Sequence, residues 1–308
     1  MALLFACSNP TSEVTPMMLA ARTGDSGEVQ RLIDEGNTVN ELSRYGWTAL
    51  MFAAWKGHQD AATKLLDAGA DPNVKSEFIH FSFMSTGGNY AESTALREAI
   101  RGKHFAIVDL LLEHGARIDS EALMRAGEYG DPSLLSRLQR GGVSFRNEEI
   151  HGVVMLAACD RCNLDVVRWL LQNGAGPNGE YHGRTALGVA VDNDCPKVVR
   201  YLLRSGADPN LAFGSPGDKK TALFVAVQKH TQTVNFEKNL AVVSSLLSHG
   251  ADLSFRSASD PRSLLQIAEE DRTRTQQHLD DSKTRDVIRA QSTKRLVYEE
   301  KLIRLLKR

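Results

Sequence analysis

The chain has 308 residues, of which 42% are apolar and 24% charged, and its formal net charge is −1 at neutral pH. That balance exerts no global pull toward nucleic acid or an anionic membrane, and it supplies enough apolar residues for a continuous core. The four cysteines, Cys7, Cys159, Cys162 and Cys195, show no spacing typical of a disulfide framework, which suits a reducing compartment.

Residues 1–13 read as an N-terminal tail. The apolar run from Ala2 to Cys7 lacks a basic flank and is too short for a signal peptide or a membrane span. The expectation is therefore an intracellular protein, cytoplasmic and/or nuclear. From residue 14 to about 260 one pattern returns, in units that start near Thr15, Thr48, Thr94, Glu121, Val153, Thr185 and Thr221, with a degenerate eighth start at Ser263. The intervals between starts are 33, 46, 27, 32, 32, 36 and 42 residues. A period near thirty-three residues predicts a stack of like units rather than one globule.

Each part of the unit has a physical reason. A threonine caps the first helix by accepting a bond from an otherwise unpaired amide, and Pro16 suits the first helical position. Leu50 and Ala53, Leu96 and Ala99, Leu187 and Ala190, and Leu223 and Ala226 fall on one helical face. Glycines at 24, 57 and 130 allow the turn into a second helix. Leucine pairs at 65–66, 170–171, 202–203 and 246–247 line that second helix. Gly36, Gly69, Gly115, Gly142, Gly174, Gly206 and Gly250 then end it in a left-handed cap. Ala-Asp-Pro-Asn at 70–73 and 207–210 starts the turn toward the next unit.

These residues together resemble the ankyrin-repeat family: the Thr-Ala-Leu-x-x-Ala core, Gly57-His58, the leucine pairs and Gly-Ala-Asp-Pro-Asn. The resemblance covers roughly residues 15 to 260. It implies an all-α solenoid of stacked helix pairs with a β-hairpin loop projecting from each junction. The histidine of the family's Thr-Pro-Leu-His is missing, only Thr15-Pro16 keeps its proline, and units four and five lack the capping threonine.

Three irregularities interrupt the pattern. Residues 77–92 form an insertion rich in apolar and aromatic side chains, including Phe78, Phe81, Phe83 and Tyr90. It reads either as a flap folded on adjacent hairpins or as a partner-binding loop. A polar insertion near Thr231 to Asn239 reads as an extension of one helix of unit seven. Residues 261–308 read as a degenerate last unit, drawn out into a helical C-terminal cap whose stretch 283–308 carries nine basic and three acidic residues.

Little in the sequence points to catalysis. Cys159-Asp-Arg-Cys162 has the spacing of a metal or redox pair, but no second pair follows, and His151 adds only a third candidate. Gly214 to Thr221 fails the phosphate-loop spacing. The expectation is no enzyme, no metal and no cofactor.

Partner contact is expected where the core periodicity leaves residues free, at the hairpin tips and the exposed edge of each first helix. Those positions hold Arg44, Tyr45, Trp47, Trp55, Lys56, Tyr90, Arg101, Tyr129, Tyr181, His182 and Arg184, and Phe78, Phe81 and Phe83 join them from the insertion. Four of the six tyrosines and two of the three tryptophans fall in this set, and such residues dominate interface energetics. The resulting expectation is a non-catalytic scaffold or adaptor, monomeric, that binds another protein on a concave hairpin and first-helix face. Two alternatives stand beside it. One is an accessory factor or enzyme acting on a small molecule in a pocket roofed by 78–90. The other is an adaptor to nucleic acid or an anionic membrane through the basic C-terminal helix.

Overall fold

A computed structural model describes residues 14–44, 46–76, 93–229, 235–280 and 286–307. Its contacts divide the chain into two compact units, Met1–Val143 and Ser144–Arg308. The insertion at 77–92 and the tail at 1–13 lie outside the described residues.

Four helix pairs build the first unit: α1 (Pro16–Thr23) with α2 (Ser26–Asp34), α3 (Ala49–Lys56) with α4 (Gln59–Asp67), α5 (Ala95–Gly102) with α6 (Phe105–Glu113), and α7 (Ser120–Tyr129) with α8 (Pro132–Arg140). First helices pack on first helices and second on second, α1 on α3 on α5 on α7 and α2 on α4 on α6 on α8. The alanines make this close stacking possible. Ala53, Ala54 and Ala99 are fully buried at the first-helix contacts, and Ala61 and Ala62 at the second.

The second unit begins with α9 (Glu148–Asp160) and α10 (Leu164–Gln172). A hairpin of β1 (Glu180–Tyr181) and β2 (Arg184–Thr185) leads into α11 (Ala186–Asp192) and α12 (Pro196–Arg204). A second hairpin, β3 (Phe213–Ser215) with β4 (Asp218–Lys220), leads into α13 (Ala222–Gln228) and α14 (Phe236–Ser248). Both hairpins are antiparallel, pairing Tyr181 with Arg184 and Gly214 with Lys219. Two long helices, α15 (Leu264–Asp280) and α16 (Asp286–Leu306), pack on each other and on α13 and α14.

Local chemistry sets the helix ends. The side chains of Thr15, Thr48, Thr94, Thr185 and Thr221 each accept from the amide three residues on. Where no threonine is available, another acceptor takes its place and the helix starts earlier. Asp119 caps α7 two residues before Glu121, and Asn147 caps α9 six residues before Val153. The glycines that end the second helices, from Gly36 to Gly250, all have positive φ. Gly130 differs, with an extended backbone at φ −72°. It is needed for space instead, since a Cβ there would lie 2.1 Å from the carbonyl oxygen of Ala126. The second irregularity lengthens α14, which begins at Asn235 and Phe236; residues 230–234 lie outside the described residues.

Asparagine side chains tie consecutive loops together. Asn40 donates to the Gly69 carbonyl and accepts from the Asp71 amide; Asn73 does the same with Gly115 and Arg117. In the second unit, Asn178 bridges Gly206 and Asp208, and Asn210 bridges Gly250 and Asp252.

One expectation is corrected. Cys162 and Cys195 are joined in a disulfide. They are 33 residues apart, one repeat, so stacking brings their Cα atoms to 5.3 Å. Their wide separation in sequence conceals a close pairing in the fold.

Candidate partner-binding surface

The loop before α3 is clamped by Ser43. Its amide donates to the Trp47 carbonyl at 2.9 Å, and its hydroxyl accepts the Trp47 amide at 3.0 Å. Gly46, at φ 68°, makes the reversal between them possible. Ser43 is buried, so Trp47 stands on a fixed base. Its ring lies 5.0 Å from Phe52 and meets Trp55 edge-on at 5.9 Å. The ammonium of Lys56 sits 3.7 Å from the centre of the Trp55 ring, a cation–π contact of about 0.5–1 kcal/mol at an exposed site. The Trp55 carbonyl accepts from Nε2 of His104, in the next helix pair, at 3.2 Å. Both tryptophans are half-buried and Lys56 is exposed.

This group brings together Trp47, Trp55 and Lys56. Phe52 completes it and escaped the sequence reading, although it sits one helical turn before Trp55, the spacing at which side chains meet. Leu19 in α1 and Leu42 before the clamped loop add exposed apolar surface in the same unit, at 42% and 50% exposure. Arg44 is exposed at the loop tip. Arg101 is committed within the chain, with an ion pair of 2.5 Å to the buried carboxylate of Glu98, which also accepts the Ser93 hydroxyl. Tyr129 is half-buried at the end of α7. Tyr45, Phe78, Phe81, Phe83 and Tyr90 lie outside the described residues.

The second unit holds a separate group. His182 and Gly183 both have positive φ, 51° and 72°, which makes the two-residue turn of a tight hairpin. The Tyr181 ring meets the His182 ring edge-on at 4.2 Å. Its Cβ packs so closely on α9 that a Cβ at Gly152 would lie 3.2 Å from it. Arg184, paired across from Tyr181, is exposed. Gly214 of the next hairpin donates to the Gly183 carbonyl at 2.7 Å. Lys220 and Lys229 are spent on ion pairs with Asp218 and Asp194.

Gly214 to Thr221, which fails as a phosphate loop in sequence, is the β3–β4 hairpin and its capping threonine. Asp218 there accepts the hydroxyls of Ser257 and Ser259, and these hydrogen bonds pull its carboxyl down to about 2. Burial, and then the neighbouring Asp160, push the Cys159 thiol far above its ordinary range. His151 is 4% exposed, and neither of its ring nitrogens has a hydrogen-bond partner. Among the described residues no three His, Cys, Asp or Glu side chains are placed to hold a metal ion. No described helix is long and apolar enough to cross a membrane.

A family model described as ankyrin repeats, in three copies, matches residues 2–76 and 123–213, just over half of the chain. A mitochondrial disaggregase of Bos taurus is 44% identical over 79 residues, covering 25% of this chain and 12% of that protein. An ankyrin repeat and KH domain-containing protein, mask-1 of Caenorhabditis elegans, is 26% identical over 189 residues, covering 55% of this chain and 6% of its own length. The chain thus spans only a small part of these relatives. Among solved structures, the human ASB11 ankyrin repeat domain superposes with a TM-score of 0.62 at 23% identity, covering 77% of this chain and 99% of that domain.

Proposed function

Because the chain belongs to the ankyrin-repeat family, whose members are generally protein-interaction modules, we propose that it is a non-catalytic scaffold gripping a partner protein with the aromatic and cationic edge of its first unit. One observation carries this reading. Trp47, Phe52 and Trp55 form a half-exposed aromatic group on a hydrogen-bonded base, with Lys56 against it. Such a group offers a large rigid area at little ordering cost, which is how a few residues come to dominate an interface. The partner segment it suits carries an apolar anchor for the rings. The scaffold acts as a single chain inside the cell, and the Tyr181–His182–Arg184 hairpin is a secondary contact.

The test is affinity purification with mass spectrometry on the wild type and two variants. Trp47→Ala with Trp55→Ala is expected to lose the partner, with affinity down roughly 100-fold or more. Tyr181→Ala with Arg184→Ala is expected to retain most of it. Circular dichroism checks that both fold. Unchanged capture by a folded tryptophan variant sinks the placement of the site.

A further inference from the structure

The inter-helix turns carry a recurring contact between neighbouring repeats. The residue that starts the second helix of one repeat packs on the left-handed residue that ends the first helix of the repeat before. His58 packs on Gly24 in this way, so closely that a Cβ at Gly24 would lie 2.5 Å from the His58 ring. His104 packs on Gly57, where a Cβ would again fall 2.5 Å from the ring. Each histidine also bonds a carbonyl at the end of the preceding first helix: His58 Nε2 that of Arg22 at 3.1 Å, His104 Nε2 that of Trp55 at 3.2 Å.

At the junction of the fifth repeat (α9, α10) and the sixth (α11, α12), both members of this pair change together. Cys162 holds the left-handed position, at φ 55°, where the other two pairs have glycine. Cys195 holds the histidine position at the start of α12, and its sulfur lies 3.3 Å from the Cys159 carbonyl, one residue before the carbonyl that the histidines bond at the other two pairs. A left-handed non-glycine residue is unfavourable, and its Cβ would collide with a histidine at the partner position. Only a small partner removes that collision, and the residue present there is a second thiol. Lys103 and Asp194 also hold this turn position left-handed, at φ 58° and 51°, so what sets this junction apart is that two thiols face each other across it and are joined.

We propose that Cys162 and Cys195 form a site of reversible thiol–disulfide exchange with a low-molecular-weight disulfide, switching the fifth and sixth repeats between a covalently stapled and a separable state. Cys162 lies exposed on its turn, whereas Cys195 is 2% exposed, so the external reagent meets Cys162 first. The Cys162 thiolate attacks one sulfur of the small disulfide and releases one thiolate. Cys195, deprotonated in turn, attacks the Cys162 sulfur and releases the second. The protein loses two hydrogens and gains one S–S bond; the small disulfide becomes two thiols. Excess small thiol runs the same steps backward. Cys159 shares the C-x-x-C spacing but takes no part, being fully buried and held protonated.

Because each repeat is coupled only to its neighbours, closing the staple acts on local opening of α9 to α12 rather than on the whole chain. The test equilibrates the full chain with oxidised or reduced glutathione, maps cysteines by differential alkylation and mass spectrometry, and follows amide hydrogen exchange. Oxidised glutathione is expected to link Cys162 to Cys195 in the wild type and in Cys159→Ala, and to slow exchange in α9 to α12 roughly tenfold or more relative to the reduced chain. Cys162→Gly with Cys195→His rebuilds the contact used at the first two junctions; it is expected to fold and to lose the redox dependence of exchange. Glutathione retained on Cys162 with no internal link, a link to Cys159, a link that leaves exchange unchanged, or redox dependence persisting in the double variant would each overturn the proposal.

Discussion

Asp119 performs two tasks with one carboxylate. It caps α7 through the Ala122 amide, and it pairs with Arg97, whose side chain is 8% exposed, at 2.6 Å. Burial by itself would raise its pKa, but the Arg97 hydrogen bond, the Ala122 amide and the charges of Arg97 and Lys75 together hold the carboxyl below its ordinary value. Asp119→Ala therefore removes a cap and a carboxylate that bonds the Arg97 guanidinium, and urea unfolding is expected to show a loss of about 2 kcal/mol. The pH dependence follows from the sign of the shift. A depressed carboxylate contributes stability that is present above the unfolded value of about 3.9 and is lost as pH falls through the lower folded one. Asp119→Asn should flatten the stability slope across that acid window; a slope equal to wild type would mean that other carboxylates carry it. Gly130 makes a second, steric point. Gly130→Ala is expected to cost about 2 kcal/mol or more through its collision with the Ala126 carbonyl. Gly27→Ala, with its nearest neighbour at 3.4 Å, should be tolerated.

Among the elements, the parts legible in sequence are those whose chemistry is local. A threonine caps the helix that follows it, and a glycine ends the helix that precedes it, so Thr48 and Gly69 announce their roles to any reader of a short window. The helix starts at Asp119 and Asn147 were hidden because an alignment anchored on threonine passes over other acceptors. What acts between repeats was hidden for another reason. Asn73 bonds residues 42 and 44 positions away, and Cys162 pairs across a full repeat; such partners emerge only once the register of the stack is known. The candidate site shows the same division. Trp47 and Trp55 were visible as rare residues at variable positions, whereas Phe52 becomes part of the group only through the ring contacts. Asn73→Ala removes both bonds to the Gly115–Arg117 loop and is expected to cost about 1–2 kcal/mol in urea unfolding. Asn73→Asp keeps the acceptor, loses the donor, and should fall between; equal losses for the two variants would place the stabilisation elsewhere.

For the molecule as a whole, the long helices α15 and α16 close the second unit. Tyr298 donates to Asn239 at 2.7 Å, and Asn239 donates to the Ala226 carbonyl at 3.0 Å, so α16 is bonded through α14 to α13. Deleting 264–308 would uncover the apolar faces of α13 and α14, and the shortened chain is expected to aggregate in sedimentation velocity where the intact chain does not. A monodisperse truncation would show that the seven preceding units need no cap. The asparagine bridges carry a consequence for a chain placed under tension. Each one closes a segment that contributes no length until the bridge gives way. The loops between bridged amides span 31 residues for Asn40 to Asp71 and 44 for Asn73 to Arg117. Where rupture of a bridge is followed by unfolding of the helix pair it encloses, a single-molecule pulling trace should gain at most about 105 Å or about 150 Å, at roughly 3.4 Å per residue. The repeats would then act as a ratchet of unequal steps, paying out length in quanta that follow the insertions rather than the period.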